Sequence, residues 1–150
     1  MKVMNKIEGL NLRPLQQIKD NRGSVMHFIR KDASEFKEFG EVYFSKINGG
    51  VVKGWKLHHR ISQLFCIPFG IVKIVIYDDR PNSSTRGTIA EVILDDDANY
   101  NLLSIPPKVW YSFKSLSNTY SLLANLIDEI HSQEESETDT LLSSKIPYNW

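Results

Sequence analysis

The apolar positions of this chain fall in short runs of about four to eight residues, separated by turn-forming clusters, which is the spacing of strands rather than helices. Val42-Tyr43-Phe44-Ser45-Lys46-Ile47 is β-branched and aromatic, and it stops at Asn48-Gly49-Gly50, where Asn and Gly tolerate φ > 0 and signal a turn. Val51-Val52 resumes the strand, and Leu64-Phe65-Cys66-Ile67 leads into a second turn at Pro68-Phe69-Gly70. Ile71 to Tyr77 is the strongest strand pattern, with Val72, Ile74 and Ile76 on one face. Asp78 to Ser84 reads as a loop, Thr88 to Leu94 as a strand and Asp95-Asp96-Asp97 as a polar turn. Leu102 to Ile105 ends at Pro106-Pro107, and Val109 to Phe113 and Tyr120 to Ile127 complete the set. Only Asp32 to Phe39 invites a short N-terminal helix, with Asp32 as its cap. Roughly eight strands at this spacing predict an all-β sandwich or barrel, and a jelly roll with a pocket between its sheets fits best.

Composition narrows the function. The chain has 150 residues, enough for one domain, with 41% apolar and 24% charged residues. Lys and Arg number 18, as do Asp and Glu, and that balance argues against nucleic acid as a partner. The single cysteine, Cys66, forms no intrachain disulfide and lies in an apolar run that suits an inert core thiol. No apolar stretch reaches the ~20 residues of a membrane span. The opening Met1 to Glu8 lacks the apolar run of a leader, so the expected location is the cytoplasm. The last stretch, about residues 128–150, is polar and acidic, then closes on Ile146, Pro147, Tyr148 and Trp150. It is expected to be a solvated segment whose aromatic tip docks on this protomer or a partner.

Candidate chemistry centres on His58 and His59. Adjacent strand residues face opposite ways, so one of the pair can look inward, and Lys56 shares the face of His58. A nearby ammonium favours the neutral imidazole, the form that accepts a proton. The plainer reading makes both surface or turn histidines. Trp110 and Tyr111 alternate as well, so both line a pocket only if the strand is bulged.

Gly54-x3-His58-x4-Gln63-x6-Gly70 resembles the first cupin motif, and Ile105-Pro106-Pro107-Lys108-Val109-Trp110-Tyr111 the second, which implies a cupin-type double-stranded β-helix. The four metal-ligand positions of that fold are filled by Lys56, His58, Gln63 and Tyr111, a poor ligand set, so no metal is expected. Asp20-x-Arg22-Gly23, Lys53-Gly54, Gly70-x7-Asp78-x-Arg80-x2-Ser83-x-Thr85-x-Gly87, Ile105-Pro106 and Phe113-x2-Leu116-Ser117 together resemble the dTDP-4-dehydrorhamnose 3,5-epimerase family. The short segment from His58 to Gly70 and Ile-Pro-Pro-x2-Trp are closer to the related dTDP-sugar 3,4-ketoisomerases.

The resemblance implies a sugar-nucleotide isomerase of surface-polysaccharide or deoxysugar biosynthesis. It would abstract the proton α to the ketone of a 4-keto-6-deoxyhexose nucleotide, without a cofactor. His58 would be the base, Lys56 the oxyanion stabiliser (with Lys53 as its rival) and Tyr111 the acid. Arg22, Lys53, Arg60 and Arg80 would meet the diphosphate, and Trp55, His59 and Gln63 the rest of the substrate. Arg80 has a structural alternative as partner of Asp78. The family's acid tyrosine falls at about Ala124, which favours the rival reading, a cupin that binds a sugar nucleotide or other small ligand without turning it over. Homodimers built by strand exchange are also implied, with Ser24 to Ile29 as the crossing element.

Overall fold

The structure is a computed structural model that describes residues 6–150; the leader reading of Met1 to Glu8 falls largely outside them. Twelve strands run β1(Asn11–Pro14), β2(Gln17–Asp20), β3(Gly23–Met26), β4(Glu41–Asn48), β5(Val52–His58), β6(Gln63–Phe69), β7(Ile71–Tyr77), β8(Ile89–Asp95), β9(Asn101–Ile105), β10(Trp110–Ser115), β11(Tyr120–Ile127) and β12(Ser136–Thr138). Among the described residues there is one 3-10 turn, Gln133–Glu135, just before the last strand. Two five-stranded antiparallel sheets, β1-β9-β6-β11-β4 and β12-β5-β10-β7-β8, face each other, and β2 pairs with β3 as a separate hairpin. This is the expected jelly roll.

The strands are apolar because most are covered on both sides. Between the sheets, Ile47, Phe65, Ile67, Val72, Ile74, Ile76, Leu103 and Leu123 form the central core, with Val72, Ile74 and Ile76 on the shared face that alternation predicts. Leu64, Cys66, Leu102, Ala124 and Leu126 point outward from the first sheet and lie beneath Met26, Phe28, Ile29 and Phe36. Trp55, Val75 and Tyr77 point outward from the second sheet and lie beneath Ile146, Tyr148 and Trp150. The C-terminal tip therefore docks on its own protomer, where Trp150 donates to Ser112 Oγ at 3.0 Å and Tyr148 to Glu91.

Two expectations are corrected. Asp32 to Phe39 is not a helix: it forms two successive turns, closed by Ala33 N–H to Arg30 O and Phe36 N–H to Ala33 O. The reason is local, because Asp32 pairs with Arg30 instead of capping, and Phe36 is drawn onto the outer apolar layer. The acidic tail is not simply solvated either. Its centre folds as the 3-10 turn and β12, which adds to the edge of β5 in register Ser136 with His58 and Thr138 with Lys56.

Candidate active site

Between the sheets, an apolar-walled cavity of about 260 Å³ opens beside β5. Phe65, Phe113 and Leu123 make its apolar wall, and Tyr43, Lys53, Lys56, Tyr111, Asn125 and Thr138 bring polar groups to it. Alternation along β5 and β10 sets the cast. Lys56 and Tyr111 are register partners, whereas Trp110 belongs to the outer layer. The two strands are bulged between Tyr111 and Ser112, but the extra residue is on β5, opposite β10, so β10 keeps its alternation and Trp110 stays outside. Gly54 makes the bulge feasible: its φ is +136°, and a Cβ there would sit 2.4 Å from Ser112 Cβ.

His58 is 2% exposed. Its Nδ1 lies 2.6 Å from Glu135 Oε2, and its Nε2 lies 3.3 Å from the Tyr111 hydroxyl. The other carboxylate oxygen of Glu135 accepts from the backbone N–H groups of Arg60 at 2.6 Å and Ile61 at 3.0 Å. Burial works against the charge on Glu135, but those two N–H groups and His58 outweigh it and hold the carboxyl down at about 2. Burial pushes His58 below the ordinary imidazole range, with Glu135 pulling the other way. The charges therefore fix the tautomer. Nδ1–H donates to the carboxylate, and the Nε2 lone pair faces Tyr111. Burial drives the Tyr111 phenol far above its ordinary range, so it keeps its proton and donates it to Nε2.

The result is a hydrogen-bonded line, Glu135–His58–Tyr111, whose cavity end is the phenol. His58 was expected on the cavity wall; it stands behind Tyr111 instead. Gln63 reaches the same phenol, and Asn125 donates to Gln63 Oε1 at 3.0 Å and to the Tyr43 hydroxyl at 2.9 Å. Asn125 Oδ1 is buried and has no hydrogen-bond partner among the described residues. Lys56 lines both the cavity and the wider cleft outside it, which Glu41, Tyr43, Ile130 and His131 share. Burial lowers its ammonium, and Nζ lies 3.0 Å from His131 Nε2.

The structure thus places Tyr111, Lys56 and Lys53 on the cavity lining, with His58 and Gln63 bonded to the Tyr111 phenol behind it. Trp55 is among the residues lining the cavity; it is 1% exposed, and its indole packs edge-on against Tyr148 in the outer layer. His59 turns outward near Glu137, and the Arg60 side chain pairs with Glu129, while its backbone N–H serves Glu135. Arg80 is saturated by Asp78, Ser83 and the Glu8 carbonyl, which matches its structural alternative, and it lines a separate surface pocket with Glu8, Ser83 and Lys108. Arg22 is 86% exposed and forks onto Asp20 in the β2–β3 hairpin. Ala124 faces the outer layer, between cavity-facing Leu123 and Asn125, so its lack of a phenol removes nothing from the cavity. Sequence reasoning missed Glu135, Asn125 and His131. Asn125 was findable, since it shares the face of Leu123 in a clean strand pattern, whereas Glu135 sits in a short turn without periodicity. Among the described residues no cluster of three or more His, Cys, Asp or Glu side chains is arranged to hold a metal ion.

Known proteins resemble this chain along nearly all its length. The profile of the family described as dTDP-4-dehydrorhamnose 3,5-epimerase matches residues 4–150. The probable low-salt glycan biosynthesis epimerase Agl13 of Haloferax volcanii is 30% identical over 149 residues, 97% of this chain and 91% of that protein. The spore coat polysaccharide biosynthesis protein SpsL of Bacillus subtilis is 31% identical over 113 residues, 75% of this chain and 74% of that protein. The crystal structure of a dTDP sugar isomerase from Desulfovibrio desulfuricans G20 superposes with a TM-score of 0.94 at 43% identity, over 96% of this chain and 92% of that one.

Proposed function

The chain belongs to the dTDP-4-dehydrorhamnose 3,5-epimerase family and is an epimerase-type isomerase, and from that premise we propose how its cavity works on a dTDP-4-keto-6-deoxyhexose in glycan biosynthesis. The observation that carries the reading is the Glu135–His58–Tyr111 line ending on an apolar-walled cavity that also holds Lys56.

The reaction begins with loss of a proton α to the C4 ketone, a weak carbon acid, so the enolate must be stabilised as it forms. The Tyr111 oxygen takes that proton while its own passes to His58 Nε2, which avoids a free phenolate in a site where burial disfavours one. Glu135 balances the imidazolium that results. The C–H electron pair moves into the enolate, whose oxygen is stabilised by the lysine charge on the wall.

The test is proton exchange in D2O on dTDP-4-keto-6-deoxyglucose, followed by NMR at C3 and C5. Wild type is expected to incorporate deuterium, and Tyr111→Phe to lose at least about 100-fold of that rate. Binding of the nucleotide sugar with no exchange at either carbon would establish the rival, a binder without turnover.

The same reading takes the enzyme to be cytoplasmic, with its nucleotide substrate, and homodimeric. The β2–β3 hairpin supports the dimer, since it pairs with neither large sheet and exposes Ile18 and Val25 along with Arg22. Light scattering should give twice the chain mass of 17.3 kDa, and a single-chain mass would overturn the dimer.

A further inference from the structure

Epimerisation removes one proton from carbon and delivers another, and the Tyr111–His58 relay holds only the one it has just taken. A second carrier is needed. Lys56 is the side chain that reaches from the cavity into the outer cleft, where its Nζ meets His131 Nε2 at 3.0 Å. The phenol of Tyr111 is directed at His58 and Gln63, and Tyr111 and Lys56 are register partners on adjacent strands. His131 lies just beyond β11, part-exposed at the cleft, so it reaches water while Lys56 reaches the cavity. Its backbone N–H is held by Glu41 Oε2 at 3.3 Å, and its ring stands edge-on to His58 with centroids 6.0 Å apart.

We propose that Lys56 and His131 form the second proton-transfer pair of this enzyme: Lys56 protonates the enolate carbon, and His131 restores its proton from the cleft. The inference rests on the epimerase reading above. In the step, an N–H bond of the Lys56 ammonium breaks and a C–H bond forms at the α carbon. The enolate electron pair makes that bond, the C4 ketone re-forms, and Lys56 is left as the neutral amine. Once Lys56 is the neutral amine, His131 takes a proton from cleft water and passes it through Nε2 to that amine, returning to the neutral imidazole whose Nε2 accepts from the Lys56 ammonium. Glu135 favours the charged form of Lys56 from the sheet side, and burial of Lys56 makes the return to neutral amine accessible. Tyr43 and Glu41 complete the polar groups facing the pair.

His131→Gln and His131→Phe separate the roles. Gln keeps an acceptor for Lys56 but carries no proton, whereas Phe removes both. On dTDP-4-keto-6-deoxyglucose, His131→Gln should keep KM within about twofold and α-carbon deuterium exchange within about threefold, while formation of inverted product falls tenfold or more. His131→Phe should lose inversion at least as completely and raise KM. Inversion in His131→Gln at the wild-type rate overturns the pair. Equal loss of exchange and inversion in His131→Gln also overturns it, because the residue would then act only on the shape of the site. A wild-type enzyme that neither exchanges nor inverts overturns the epimerase reading itself, a result distinct from either.

Discussion

At the scale of single residues, Glu135 carries more than its place in an acidic tail suggests. It is 1% exposed, and its carboxyl is held at about 2 against an ordinary 4.5. A folded-state value below the unfolded one stabilises the fold above the unfolded value, by roughly 3 kcal/mol at about 1.4 kcal/mol per pH unit. That contribution is complete above about pH 4.5 and fades as the pH falls toward 2. Glu135→Gln should therefore cost about 2–3 kcal/mol at pH 7 by urea unfolding, and much less at pH 3. An equal loss at both values would mean that packing, not charge, is at stake. Lys108 makes the opposite case. It is the one non-glycine residue with positive φ among those described, at 67°, in the Pro106-Pro107-Lys108 turn where its N–H donates to His58 O at 2.6 Å. A side chain in that region costs about 1–2 kcal/mol, and glycine's extra unfolded-state freedom about 0.5–1 kcal/mol. Lys108→Gly is expected to raise stability by a few tenths to about 1 kcal/mol in denaturant unfolding, and a lower midpoint would show that the lysine side chain contributes more than its strain costs.

At the scale of elements, alternation explains what was legible. Period-two patterning places Val72, Ile74 and Ile76 in the core, and the same rule puts Lys56 with His58 and sets Tyr111 against Trp110. What it does not supply is register. The bulge on β5 shifts the pairing by one residue at Trp55, and motif spacing alone set a phenol at Ala124, a position that faces away from the cavity. Short elements were the other gap. The 3-10 turn and β12 are too brief to show a period, yet they deliver Glu135 to His58 and pair β12 with β5. The bulge yields a sharp expectation. Gly54→Ala would place a Cβ 2.4 Å from Ser112 Cβ and 2.8 Å from its Cα, on a backbone with φ +136°. Relief requires β5 to move, and β5 carries both Lys56 and His58, so the variant should lose more than about 2 kcal/mol of stability and most deuterium exchange together. Full activity with intact stability would show that β5 can re-register without cost to the site.

At the scale of the molecule, three apolar layers are stacked across two sheets, and the outermost on the β5 side is closed by the chain's last residues. Ile146 is 3% exposed and joins Trp55, Val75 and Tyr77, with Tyr148 and Trp150 packed over the same layer. Lys73 sits over both rings, 5.5 Å from the Tyr148 centroid and 5.6 Å from that of Trp150, and is paired with Glu91 at 2.8 Å. This strap touches no group proposed to move a proton, but it packs on Trp55, which lines the cavity with its chain neighbours Gly54 and Lys56. Ile146→Ala removes buried methyl groups from a layer that cannot easily collapse, since β5 beneath it is fixed on both edges by β12 and β10. A loss of about 2–4 kcal/mol follows from that cavity. Because the strap positions the wall and not the proton line, the substrate KM should rise while the exchange rate at saturation stays within about threefold. If saturated exchange instead falls as steeply as it does for Tyr111→Phe, the strap governs the relay itself, and the separation between outer support and inner chemistry drawn from these layers is wrong.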